Sequence, residues 1–509
     1  MFDAIVLSLG AFIILIGLVS TWLERKGLPP TVLALLAGVV LGPAVTGVFD
    51  PAATGARAHV LELVTRLSLA IAITSLILFV PKQFARRRWR EMVVLVGGSM
   101  LLMWVVSTAL VYLILGIPFL MAALIGAMLA PTDPVAARPI VEGIPAEEHL
   151  PHRLRHALAF ESASNDGAAY PLVFLPFLLM TLAPGAAWSH WAVHTLLWEV
   201  GGAAVIGVGL GYAAAHLLRA AEARDLIKDE WRLVYTAAVA LVGVGGGHLI
   251  HVSEFVLVFA AAVAGSRVIG SGDRKDEEHG QEAANRFLSV PIFGLLGTAI
   301  PWDGWRDLGW RGAALAGAIL LFRRLPAMMA VCPFVPILRR RADTLFVGWF
   351  GPIGIATIYY GAHFEQRLGA PLIWHVTSLV ICASVLAHGL TATPLTRLYG
   401  RVTGQTARNA ARRAERAEMA ERAERADLVE RAGRAGRALA DPGRERRGHD
   451  SPVPGTVGRA TRARGHERAA KPPSPDHDAG AGGGADRDRR SPSRSGRAAA
   501  DGDDDGDGE

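Results

Sequence analysis

Apolar runs long enough to cross a bilayer, about twenty residues each, follow one another along the first 400 residues and stop abruptly after Leu398. The pattern predicts about thirteen spans, near 2–22, 30–49, 66–81, 91–114, 116–140, 156–182, 190–218, 231–250, 254–269, 286–301, 310–337, 343–362 and 371–397. Several contain glycine or proline, which helices tolerate in a membrane better than in water. The expected fold class is therefore all-α, a polytopic membrane protein. The first run, Phe2 to Trp22, has no basic residue before it and no small-residue cleavage site, so it reads as a span and not a leader.

Composition agrees: 51% of the residues are hydrophobic and 19% charged, with a mean hydropathy of +0.32, outside the range of soluble domains. The net charge of +6 does not point to nucleic acid, because the bases before residue 400 sit in short clusters between apolar runs. One set of loops holds Arg25 and Lys26, Lys82 with Arg86, Arg87, Arg88 and Arg90, Arg153 and Arg155, Arg219, Arg224 and Lys228, Arg267, Arg274 and Lys275, and Arg339 to Arg341. The opposite loops offer Arg57, Arg306 and Arg367. Cytoplasmic loops carry the basic excess, which predicts an N-terminus outside, a cytoplasmic C-terminus and an odd number of spans. Cys332 and Cys382 both lie in apolar stretches and suggest neither a disulfide framework nor a zinc site.

After Leu398 large apolar residues almost vanish, so residues 1–400 form the expected membrane domain and 401–509 a charged cytoplasmic tail with no packed core. The Arg-Ala-Glu-Arg-Ala units from about Thr406 to Ala440 favour a solvated helix with internal ion pairs, and the Gly, Pro and Asp-rich remainder reads as disordered.

Ionisable groups within spans cost about 2.5 kcal/mol or more at the bilayer centre on insertion scales, and four stand out: Asp133, Glu161, Asp166 and Arg323. In Ala130-Pro131-Thr132-Asp133-Pro134-Val135 two prolines remove backbone donors and break the helix. Such a break frees carbonyls for a cation and leaves half-helix ends in need of charge partners, which Thr132 and Asp133 help to supply. A kinked helix whose Asp faces a cytoplasmic vestibule is the alternative.

In Phe160-Glu161-Ser162-Ala163-Ser164-Asn165-Asp166-Gly167 the two carboxylates are five residues apart and face directions about 140° apart, which is not a dyad. Each needs its own partner. Desolvation favours the neutral form of an unpaired buried carboxylate, so Asp166 suits a proton carrier: neutral when protonated, and when ionised able to ligate a hard cation beside hydroxyl and carbonyl oxygens. Solvated carboxylates at a cytoplasmic helix end are the alternative here. Arg323 and Arg324 interrupt the 310–337 run, and one of them neutralises Glu161; a pair of short segments with surface arginines would read differently. Gly348-Trp349-Phe350-Gly351-Pro352-Ile353-Gly354 is a second break. Two interrupted helices in matching halves suggest inverted repeats with the site where the breaks cross. His388 reads as a packing or hydrogen-bonding residue, with a proton relay as the alternative.

At these residues the sequence resembles the sodium/proton exchanger family of monovalent cation/proton antiporters, over about residues 1 to 400. The resemblance rests on Thr132-Asp133-Pro134, on Glu161-Ser162 with Asn165-Asp166-Gly167, and on Gly348-Trp349-Phe350-Gly351-Pro352. The Gly-Pro-Ile-Gly form and Arg323-Arg324-Leu325-Pro326 look most like the branch that includes fungal plasma-membrane antiporters. It implies a homodimer with dimerisation and core domains, elevator-like alternating access, a plasma-membrane location, a role in pH homeostasis, and Asp166 as principal cation and proton carrier. Asn165 resembles the Asn-Asp form of electroneutral exchangers. By the same resemblance Asp133 and Thr132 support the crossing, Ser162 supplies an oxygen, the cation ligands are Asp166, Asp133, Thr132 and Ser162, and Glu161 pairs with Arg323.

Two positions depart from the family. Ile353 stands where many relatives carry an arginine, which bears on pH control, and Leu78-Phe79-Val80-Pro81 lacks the acidic residue some carry before the proline. The implied activity is secondary exchange of sodium, or lithium or potassium, for protons, without a cofactor; no Gly-Lys-Ser or Gly-Lys-Thr loop for ATP is present. Potassium/proton exchange, a channel-like cation pathway and an intramembrane Asp enzyme are the competing classes, and no nucleic-acid partner is expected.

Overall fold

A computed structural model describes residues 28–48, 57–268 and 290–411, with a few isolated positions besides. The expected first span at 2–22, the start of the 286–301 span and the tail beyond 411 lie outside the described residues. So does the whole of the second of the chain's two compact units, Val429–Glu509; the first is Met1–Leu428.

The described residues form helices and no strand. In order these are α1 (Pro30–Leu41), α2 (Arg57–Phe79), α3 (Trp89–Leu115), α4 (Phe119–Met128), α5 (His152–Thr181), α6 (Pro184–Glu222) and α7 (Asp229–Leu249). Then come α8 (Glu254–Val268), α9 (290–298), α10 (Trp302–Phe322), α11 (Leu325–Val331), α12 (Arg341–Trp349), α13 (Ile355–Leu368) and α14 (Pro371–Thr403). Among the described residues five helical stretches are long and apolar enough to cross a membrane unaided: α2, α3, α6, α10 continued through α11, and α14.

Several boundaries differ from the apolar pattern. α2 begins at Arg57, nine residues before its expected start at 66, because its polar first turns are paired: Arg57 with Glu365, Glu62 with His363 and Arg66 with Glu254. α10, Trp302–Phe322, is kinked at the non-helical Gly309, so its long continuous part starts at Trp310 as the apolar pattern expects, and Arg323 and Arg324 follow its last residue. The two arginines separate α10 from α11, yet each is only 2% exposed, which removes the surface-hairpin alternative.

The apolar core runs through α2, α4, α5, α13 and α14. α2 packs on α5, α8 and α13, while α14 lies along α10 and α13. α6 and α8 approach at Gly207 and Gly211, where an added Cβ would run into the Leu257 and Ala261 carbonyls. Such small-residue contacts let membrane helices pack where no hydrophobic effect drives them together. What matters for the site is that the interruption at 129–137, between α4 and the short helix Arg138–Val141, faces the middle of α5, and that it meets the second interruption, 350–354 between α12 and α13.

Candidate functional site

Pro131 and Pro134 have no N–H to give, which interrupts the helical bonding of the first break, and part of its backbone finds partners across the molecule instead. The Asp133 N–H donates to Pro352 O at 2.7 Å, tying the first break directly to the second. Thr357 Oγ1, in the first turn of α13, donates to Met128 O, the last residue of α4, at 2.8 Å. Asp133 Oδ1 accepts from Val135 N at 2.9 Å, and the N–H groups of Ala136 and Ile355 face the same carboxylate. A negative group at the N-terminus of α13 complements that helix's dipole. Gly354 makes the approach feasible, because a Cβ there would collide with the Asp133 carboxylate.

The opposite, carbonyl-rich ends are held by a cation. Arg323 Nη1 donates to the carbonyls of Leu129, Ala130 and Pro131 at 2.6, 2.9 and 3.1 Å, and Nη2 donates to Gly351 O. One guanidinium thus satisfies acceptors from both breaks, the use to which its rigid fork of donors is suited.

The expected pair of Glu161 with Arg323 is not formed. Arg324 makes it instead, bidentate at 2.6 Å for both bonds, and also donates from Nε to Val347 O at 2.8 Å. Successive side chains at a helix end point about 100° apart. With α10 ending at Phe322, the second arginine faces α5 and the first faces the breaks.

Asp166 is 0% exposed and, among the described residues, neither carboxylate oxygen has a hydrogen-bond partner. Its surroundings are oxygen-rich. Asn165 Nδ2 donates to Thr132 Oγ1, Thr132 Oγ1 lies 3.3 Å from Ser162 Oγ, and Asn165 Oδ1 is itself unbonded. Ser162 is one helical turn before Asp166 on the same face. Tyr360 of α13 donates to the Asp166 backbone carbonyl at 3.3 Å, and Asp133 is near enough to act on the carboxylate electrostatically. Thr132, Ser162, Asn165 and Asp166 are therefore brought together beside Asp133, while Glu161 and both arginines stand apart in structural roles. A buried carboxylate without hydrogen bond or counter-charge is costly, and a proton or a cation relieves that cost. Among the described residues no group of three or more His, Cys, Asp or Glu is placed to hold a metal; the oxygens here are hydroxyl, amide and carboxylate, the type hard cations take.

The sequence matches the family described as "Sodium/hydrogen exchanger, transmembrane" over residues 9–398. The chain belongs to the sodium/hydrogen exchanger family. Among curated proteins it is 27% identical over 413 residues to "Na(+)/H(+) antiporter 2" of Zygosaccharomyces rouxii, covering 75% of this chain and 51% of that protein. It is 29% identical over 411 residues to a probable Na(+)/H(+) antiporter of Schizosaccharomyces pombe, covering 75% and 54%. The chain thus spans about half the length of these relatives. Among solved structures the sodium proton antiporter MjNhaP1 of Methanocaldococcus jannaschii superposes with a TM-score of 0.59 at 18% identity, over 78% of this chain and 99% of that one. That likeness concerns the fold.

One polar cluster has no counterpart among the residues singled out in the sequence. Arg66 donates to Glu254 of α8 at 2.7 Å, His363 Nδ1 lies 3.4 Å from Glu62, and Arg57 meets Glu365 at 2.6 Å, joining α2 to α8 and α13. Glu62 and Arg66 are one turn apart, a spacing that could have marked a shared polar face.

Proposed function

We propose that this exchanger carries sodium outward against protons moving inward across the plasma membrane, the two competing for Asp166. What supports the reading is a carboxylate buried in the middle of the fold whose two oxygens have no protein partner. Protonated, Asp166 is neutral and offers no charge to a cation. Ionised, it joins Thr132 Oγ1, Ser162 Oγ and Asn165 Oδ1 as a set of oxygen ligands. The other buried carboxylates are held more firmly: Glu161, Glu254 and Asp343 pair with Arg324, Arg66 and Arg153, and Asp133 accepts the Val135 amide at Oδ1, its Oδ2 alone having no hydrogen bond among the described residues. A single free carboxylate gives one proton per cation and electroneutral exchange.

The alternation of basic and base-poor loops supports an outer N-terminus and a cytoplasmic tail, with residues 1–400 as the transport domain. Sodium is the expected cargo because the relatives are named for it. The test is purified full-length protein in proteoliposomes with an imposed proton gradient and a pH-sensitive dye. Added sodium dissipates the gradient without conductance under voltage, and Asp166→Asn, correctly folded, does not respond. Sodium-driven proton movement that survives in Asp166→Asn overturns the reading; a response to potassium alone changes the cargo.

A further inference from the structure

The second break, 350–354, contributes no charged or hydroxyl side chain, and between the Phe350 N–H, which closes α12 on Phe346 O, and Gly354 O, which accepts from Ile358 of α13, residues 351–353 lie outside either helix. Something outside must set its span. Ser384 and His388, one turn apart on α14 and both buried, lie against it. The Ile353 N–H donates to Ser384 Oγ at 2.7 Å. Ser384 Oγ is 3.0 Å from His388 Nδ1, and His388 Nε2 is 3.0 Å from Trp349 O.

Nδ1 is also 3.0 Å from the Ser384 carbonyl, so each ring nitrogen faces a carbonyl; the neutral tautomer that makes the most bonds carries its proton on Nε2, donates to Trp349 O and accepts the serine hydroxyl at Nδ1. The three bonds then form one directional chain, from the amide on the far side of the break to the carbonyl on the near side. Trp349 Nε1 adds a bond to Thr391 Oγ1 of α14 at 3.0 Å. Between the two fastened ends lie Gly351 O and Pro352 O, the acceptors through which the second break engages Arg323 and the Asp133 amide.

We propose that Ser384 and His388 are positioning residues of the exchange site. They fix the distance across the second break, and with it the place where Gly351 O and Pro352 O meet Arg323 and Asp133. Thr132 sits next to Asp133, so its hydroxyl and the oxygen set around Asp166 move with that junction. Sites held by a supporting shell lose function when displaced by about 1 Å. The inference rests on the reading of Asp166 as the exchange site. Neither residue touches the carrier carboxylate, so their loss weakens cation affinity more than it lowers the maximal rate.

The experiment compares the wild type, Ser384→Ala, His388→Ala, His388→Gln and the double alanine variant in proteoliposomes, reading the half-saturating sodium concentration and the maximal rate per folded protein at fixed pH. Each single alanine variant raises half-saturation about fivefold, the scale of one ordinary hydrogen bond. The double variant is no worse than the larger single effect, since the bonds belong to one chain. His388→Gln, whose amide nitrogen still reaches Trp349 O, recovers part of the loss. An unchanged half-saturation in Ser384→Ala overturns the proposal, as do additive effects in the double variant. Should His388→Ala not fold, Ser384→Ala decides alone. A wild type without sodium-driven proton movement fails the antiport reading instead, a result separate from either of these.

Discussion

The first break carries Thr132 and Asp133, whose side chains reach Ser162, Asn165 and the start of α13. The second carries Phe350, Gly351, Pro352, Ile353 and Gly354, and makes its hydrogen bonds to its neighbours through backbone groups: Gly351 O to Arg323, Pro352 O to Asp133 and the Ile353 N–H to Ser384. One break supplies polar groups to the site and the other supplies shape. The difference teaches where each is vulnerable: the first to loss of an oxygen, the second to added volume or loss of the groups that fasten it.

The largest effect expected from that contrast comes from the fastening. Arg324→Ala leaves Glu161 charged and buried without its partner and releases Val347 O, a loss of about 3–5 kcal/mol for a broken buried pair. Thermal unfolding of the purified protein checks it, and a change within 1 kcal/mol, roughly the worth of an exposed pair, would separate Glu161 from the support of the second break.

Smaller is the cost of volume. In Gly354→Ala the new methyl group meets the Asp133 carboxylate, and overpacking of this kind costs about 1–3 kcal/mol while displacing the junction of the breaks. Sodium-driven proton flux falls along with stability. Gly317 on α10, whose added Cβ meets nothing within 4 Å, is the control, and Gly317→Ala leaves flux as it is. Equal behaviour of the two variants would remove the steric half of the comparison.

Smallest is the loss of one oxygen from the first break. Thr132→Ala raises the half-saturating sodium concentration about fivefold, on the scale of a single polar contact, whereas Thr132→Ser, which keeps the hydroxyl, stays near the wild type. Flux titrations with sodium distinguish them.

How legible this was from the amino-acid sequence differs between the same two regions. Pro131, Pro134, Gly351 and Pro352 betray the breaks because nothing else explains them inside apolar runs, and Asp166 stands out because a carboxylate there is costly. The choice between Arg323 and Arg324 was not legible. It turns on a 100° difference in direction at the end of α10, a point the apolar pattern placed inside a longer run. The outer end of α2 was hidden for a related reason: Arg57, Glu62 and Arg66 read as loop residues until their partners on α8 and α13 are known. Gly354 read as part of the second break, but its close fit did not show, since that depends on a carboxylate 221 positions earlier in the chain.

The central claim is that sodium and a proton exclude one another at Asp166, and equilibrium binding of radioactive sodium to the purified protein over a pH series tests it without any transport step. Mutual exclusion at one group makes the apparent sodium affinity fall about tenfold for each unit of acidification below the site's own titration, levelling off above it, and Asp166→Asn removes the binding. Sodium affinity that stays constant with pH, or persists in Asp166→Asn, would contradict the account.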